Sequence, residues 1–218
     1  PNSESVFDFE WLRKGADFLI TQQGANGLIT SDHNHAPVAL NSSIQTTSQA
    51  MHVWKRMVSS GAAPKYRTAL ELARDALFNM QPSPSSHYYL QELSWLILGL
   101  RAADIAPDHP RLAAMVQALV DHQHSDGGWS VSTLPNNISS NSDAFSTGMS
   151  LCTLTSVGES DSAAFVDGVD YLLATQNANG SWTHRGAHSE VAESTWAAIC
   201  LASTQIADSD DDGTGDDL

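Results

Sequence analysis

The chain has 218 residues, of which 41% are apolar and 16% charged, so one domain or two small ones with a sizeable core is expected, and global disorder is not. Its 25 acidic against 10 basic side chains give a net charge of −15, without the clustered Lys/Arg that a nucleic-acid or anionic-lipid surface needs. No stretch reaches the ~20 apolar residues of a membrane span, so no transmembrane segment is expected. The opening PNSES has neither an initiator Met nor the apolar stretch of a signal peptide, as a processed chain would.

Taken in order, the chain alternates two kinds of helical pattern. Residues 13–29, 117–129 and 168–182 each carry a helical stripe that closes in Gln, three residues, Gly, one residue and a bulky apolar side chain. The triplets are Gln23/Gly27/Ile29, Gln123/Gly127/Trp129 and Gln176/Gly180/Trp182. The first two Gln are 100 residues apart and the next is 53 further on, so a period of about 50 places a degenerate copy before Gln81. Between them lie helices of wider apolar coverage at 46–54, 93–100, 146–154 and 194–202, aligned on Thr47, Ser94, Thr147 and Thr195. The alignment sets Trp95 opposite Trp196 and Glu92 opposite Glu193. The pattern predicts an all-α fold of about eight helices in four pairs, the striped helices outside and the broadly apolar ones inside.

The Gln-xxx-Gly-x-Trp element resembles the QW motif of squalene-hopene and oxidosqualene cyclases and the related repeat of protein prenyltransferase β-subunits. The resemblance covers roughly residues 8–206 and implies an α/α toroid with a central cavity. It also implies that Gln23, Gly27, Gln123, Gly127, Trp129, Gln176, Gly180 and Trp182 brace the outer-to-inner turns rather than do chemistry. Family toroids have five or six pairs against four here. The ring is therefore small or open, or is completed by other parts of the parent protein or by a second copy.

The cyclases protonate an alkene with Asp-x-Asp-Asp before an inner helix. The literal match here, Asp208-Ser-Asp210-Asp211, falls in the tail and reads as coincidence. At the aligned inner-helix place stand Glu92, Glu193 and, matching the first Asp, Asp143. Glu92 and Glu193 are either a facing acid–base pair or solvated helix-start residues favoured by the helix dipole. His87, Tyr88, Tyr89 and Glu92 form a second candidate, where Tyr with His could move protons as a polysaccharide lyase requires, or bind a sugar or hydrophobic ligand. The zinc site of prenyltransferases is not reproduced, because no Asp-x-Cys accompanies Cys152 and Cys200; these two are either buried small hydrophobes or an interhelical disulfide. Nine His include the turn pairs His33/His35, His122/His124 and His184/His188, which read as exposed.

Six of the fifteen excess negative charges sit in 208–218, DSDDDGTGDDL. Alternating carboxylates before a glycine turn suit a hard cation. The run resembles the start of a thrombospondin type 3 repeat or EF-hand loop, which implies Ca²⁺ held by Asp208, Asp210, Asp212, the Thr214 carbonyl and Asp216. The expected organisation is a toroid domain over 1–207 and a calcium-loop-like tail over 208–218. The expected function is a secreted or periplasmic bacterial ligand-binding or architectural module of a larger calcium-repeat protein, taking a small hydrophobic or carbohydrate ligand. The alternative is an enzyme working in the cavity, terpenoid cyclase- or prenyltransferase-like, or of polysaccharide lyase type.

Overall fold

A computed structural model describes residues 9–30, 39–133, 141–183 and 190–205. The described residues form eight helices: α1 (Phe9–Gln22), α2 (Ala39–Ser59), α3 (Pro64–Phe78), α4 (Tyr89–Ala102), α5 (Pro110–Val120), α6 (Ala144–Ser156), α7 (Ala163–Thr175) and α8 (Glu190–Gln205). No strand occurs among them, and β-type pairing appears as isolated bridges, Gln23 to Ile29 and Gln176 to Trp182. The fold is all-α, of the outer/inner helix-pair kind expected of an α/α toroid.

Helix starts follow local chemistry. Pro64 and Pro110 occupy first-turn positions, where the missing N–H is no loss. Asp143 and Ser162 cap α6 and α7 by accepting from the backbone N–H groups of Ser146 and Phe165. The odd-numbered helices bury one stripe: Tyr66, Ala69, Leu70, Ala73 and Leu77 on α3, and Leu112, Met115 and Leu119 on α5. α4 and α6 are buried almost all round, as inner helices should be. α8 departs from that expectation. It buries Glu193, Ala197 and Cys200 but leaves Val191, Thr195, Ala198, Ile199 and Ala202 exposed, because no further helix among the described residues covers that face.

The chain divides into two compact units, 1–81 with 98–105 and 82–97 with 106–218. In the first, Trp54, Met51, Ile44, Tyr66 and Leu77 form the core, and the Trp54 indole N–H donates to the Ala16 carbonyl at 3.2 Å. In the second, Trp129, Leu119, Met149 and Leu172 are buried, and a disulfide joins Cys152 of α6 to Cys200 of α8. α6 and α8 also approach closely at Gly148, where a Cβ would stand 2.8 Å from the Trp196 carbonyl oxygen.

The three turns after α1, α5 and α7 are built alike. The Gln side-chain amide donates to the carbonyl of the Gly four residues on, at 3.0, 2.7 and 3.1 Å. Each Gly sits at φ of 83 to 85°, a left-handed conformation that other residues resist. The indole N–H groups of Trp129 and Trp182 each donate to the carbonyl ten residues earlier, Leu119 at 2.8 Å and Leu172 at 2.9 Å. The backbone N–H that follows the turn is taken by an inner-helix hydroxyl: Thr47 for Ile29, Thr147 for Trp129 and Ser194 for Trp182. The aligned Thr195 is thus one residue out; its hydroxyl donates to the Val191 carbonyl one turn earlier instead. The degenerate copy has no such turn. α3 ends at Phe78, and Gln81 lies exposed beyond it.

Candidate functional site

In the second unit the starts of α4, α6 and α8 each bury a carboxylate: Glu92 at 3% exposure, Asp143 at 1% and Glu193 at 0%. They are therefore not solvated helix-start residues. Asp143 accepts from the Ser146 backbone N–H (2.7 Å) and hydroxyl (2.9 Å), bonds that favour its ionised form. Burial outweighs them and, with the nearby Glu193 charge, pushes Asp143 up to about 7. Glu92 is also raised by burial, moderated by the Ser86 hydroxyl at 3.0 Å, and its other oxygen is buried with no hydrogen-bond partner among the described residues.

Glu193 thus adds to the rise at Asp143 that burial begins, while Glu92 is held locally by Ser86. One turn further along, aromatic rings converge. Trp196 meets Trp95 edge-on at 5.6 Å and Phe145 at 5.7 Å. Asp143 is the residue that sequence reasoning undervalued. Its signal was its place, an Asp three residues before Ser146 at the start of an apolar run, which is an N-cap pattern.

Within the candidate group His87, Tyr88, Tyr89 and Glu92, the rings make different contacts. The His87 ring meets Tyr88 edge-on at 4.8 Å, whereas Tyr89 turns to His122 at the end of α5, at 5.6 Å. Burial raises the Tyr89 phenol, which keeps it protonated near neutrality and unsuited to accept a proton. His122 and His124 are half-buried rather than simply exposed. His122 Nδ1 lies 2.7 Å from the Ala118 carbonyl. His124 Nδ1 lies 3.0 Å from the Ser142 hydroxyl, which donates to Asp126 at 2.7 Å. That network, unforeseen from the sequence, pins the 123–129 turn to the residue preceding Asp143.

Among the described residues no group of three or more His, Cys, Asp and Glu could hold a metal. Cys152 and Cys200, left open by the sequence, are paired with each other. His33, His35, His184, His188 and the proposed calcium ligands Asp208, Asp210, Asp212, Thr214 and Asp216 lie outside the described residues. No helix of the described residues is long and apolar enough to cross a membrane.

The squalene-hopene cyclase C-terminal domain family matches residues 86–210. A squalene–hopene cyclase of Bradyrhizobium diazoefficiens is 32% identical over 96 residues, which take in 41% of this chain and 14% of that protein. The chain therefore matches only a small part of that relative's length. The solved apo structure of the type II terpene cyclase MstE from Scytonema superposes with a TM-score of 0.60 at 16% identity, covering 92% of this chain and 60% of that one.

Proposed function

The chain belongs to the squalene-hopene cyclase C-terminal domain family, and from that premise we propose that it is a ligand-binding domain of cyclase type, taking a hydrophobic ligand with a positively charged end. The observation that carries this reading is the burial of Glu92, Asp143 and Glu193 at three helix starts, close along their helices to the Trp95, Phe145 and Trp196 rings that meet edge-on. Two buried carboxylates that repel each other gain from a cation, and aromatic rings add to its attraction. Binding is favoured over alkene protonation because such a proton donor needs a strongly stabilised conjugate base, and burial moves Asp143 the other way.

Calorimetric titration with a long-chain trimethylammonium amphiphile below its micelle concentration tests the reading. Affinity should rise about tenfold, or about 1.4 kcal/mol, as pH passes upward through the Asp143 transition near 7, because the carboxylate then attracts the cation. Asp143→Asn should remove that dependence, and an alcohol of equal chain length should show none. Equal binding of amphiphile and alcohol at every pH would overturn the proposal.

The enzyme reading retains one support. Asp143 carries its proton below about pH 7 and could donate it, as a cyclase or lyase acid would. A cyclised product from squalene would favour it over binding alone. Export to an oxidising compartment belongs to the same proposal, supported by the Cys152–Cys200 disulfide. Calcium binding by the tail is a separate proposal, supported by the spacing of its carboxylates. Calcium heats that are identical for the whole chain and for one ending at Ala207 would end it.

A further inference from the structure

We propose that the turn after α7 is a socket for α1 of a second copy of this chain. The complete turns do more than close on themselves. In the first unit Gln23 Nε2 also donates to the Ala69 carbonyl of α3, at 2.9 Å, and in the second Gln123 Nε2 donates to the Ala164 carbonyl of α7, at 2.7 Å. A Cβ on Gly27 would collide with the Leu72 carbonyl oxygen, and one on Gly127 with that of Asp167. The register is the same in both units. Ala69 and Leu72 stand twelve and nine residues before Gln81, and Ala164 and Asp167 stand twelve and nine before Gln176. Position eight before the Gln is small as well: Ala73 on α3, and on α7 Gly168, whose Cβ would stand 2.8 Å from Trp129 Cζ3.

At the 176–182 turn the same device is present, and no helix among the described residues lies in its grip. Gln176 Nε2 bonds to the Gly180 carbonyl on an exposed surface, and Gly180, at φ +85°, has nothing within 4 Å of a Cβ among the described residues. Beside it lies a groove of about 740 Å³ lined by Leu173, Trp182, Val191, Ala198 and Leu201. Leu173 and Val191 are 56% and 75% exposed.

The register identifies the occupant. Counted back from Gln23, positions twelve, nine, eight and five are Trp11, Lys14, Gly15 and Phe18 on α1. Gly15 has nothing within 4 Å of a Cβ among the described residues, so α1 carries the same vacancy that on α7 admits the Trp129 ring. Trp11 and Phe18 flank it at 80% and 61% exposure. The corresponding position of α5 is Met115, which would fill that space. One chain therefore carries a gripping turn and a receiving helix in matching register, as a head-to-tail contact between identical chains requires. In the contact, Gln176 Nε2 donates to the Trp11 carbonyl, Gly180 faces Lys14, and Trp182 lies over Gly15.

Sedimentation velocity from micromolar to millimolar protein tests this. The wild type should exceed the mass of one chain and grow with concentration. Gly15→Leu and Val191→Arg should each be monomeric where the wild type associates. Gly15→Leu occupies an exposed helix position, so its helix should be at least as stable and misfolding would not explain the loss. Mixing the two variants should restore association and stop it at two chains, since one intact socket meets one intact α1. Leu173→Arg replaces Val191→Arg if circular dichroism shows the latter misfolded. The proposal is overturned if the wild type stays monomeric, if Gly15→Leu associates as the wild type does, or if the mixture of folded variants stays monomeric. A monomeric wild type whose melting falls on Val191→Arg would instead seat α1 on its own chain's socket, and overturns it too.

Discussion

The turns at 123–129 and 176–182 share their internal hydrogen bonds and differ in what lies outside them. In both, Gln closes on the Gly carbonyl and the indole reaches back ten residues. Around Gln123 a second bond and a tight glycine contact fasten α7; around Gln176 neither occurs among the described residues. The motif therefore does two separable jobs. Shaping the turn needs only local residues, whereas fastening the next outer helix needs that helix. Comparing substitutions at equivalent positions should separate the two contributions, using urea unfolding of the whole chain.

The largest effect is expected at the ring. Trp129→Ala should cost about 3–5 kcal/mol, because a fully buried side chain leaves a cavity between α7 and its own turn. Trp182→Ala should fall at the low end of that range, since the open groove beside it lets the site collapse. Equal losses would mean that the indole acts only within its own turn.

The glycines sharpen the comparison most. An alanine at either position meets the left-handed penalty of about 1–2 kcal/mol. Gly127→Ala should lose about 1–3 kcal/mol more, because its Cβ displaces the Asp167 carbonyl, whereas Gly180→Ala meets no described residue within 4 Å. A difference near zero would show that α7 is not held by this contact. Next comes the disulfide, which closes a loop of 48 residues and ties α8, the helix with an uncovered face, to α6. Replacing both cysteines by Ser should cost about 2–4 kcal/mol relative to the disulfide-bonded wild type, and the reduced wild type, as the control, should show the same loss. The smallest pair is at the glutamines. Gln123→Ala should lose about 2–3 kcal/mol for two partly buried bonds, and Gln176→Ala about 1 kcal/mol for one exposed bond.

The helix pairs and their turns were legible because they rest on near-neighbour chemistry. A Gln, a left-handed Gly and a Trp at fixed spacing leave a trace in the sequence, as does the stripe before them. The fastening of the next helix left almost none, since what Gln123 grips on α7 is a backbone carbonyl, which any residue supplies. Only the small residue at Gly168 betrays it. The candidate site was legible in part. Glu92 and Glu193 were found by repeat alignment, but alignment alone gave no sign that both are buried. The coupling of Asp143 with Glu193 depends on how closely α6 meets α8, which Gly148 allows and no local pattern announces. The alignment fell on Thr195 because Ser194 and Thr195 both carry a hydroxyl, and residue type alone does not tell which of the two meets the Trp182 N–H. The acidic tail, the basis for calcium, lies outside the described residues.

That a turn reads its neighbour through a carbonyl bears on how such a chain can change over generations. A side-chain lock and key would tie each repeat to one neighbour, so that gaining or losing a repeat would demand matching substitutions on both sides. Carbonyl recognition makes only steric demands: a helix of the right length with a small residue eight positions before its Gln. Whole helix pairs can then be duplicated, deleted or exchanged in one genetic event and still seat. The degenerate copy before Gln81 illustrates the tolerance, since α3 has a receiving face for Gln23 although its own turn lacks the Gly and the Trp.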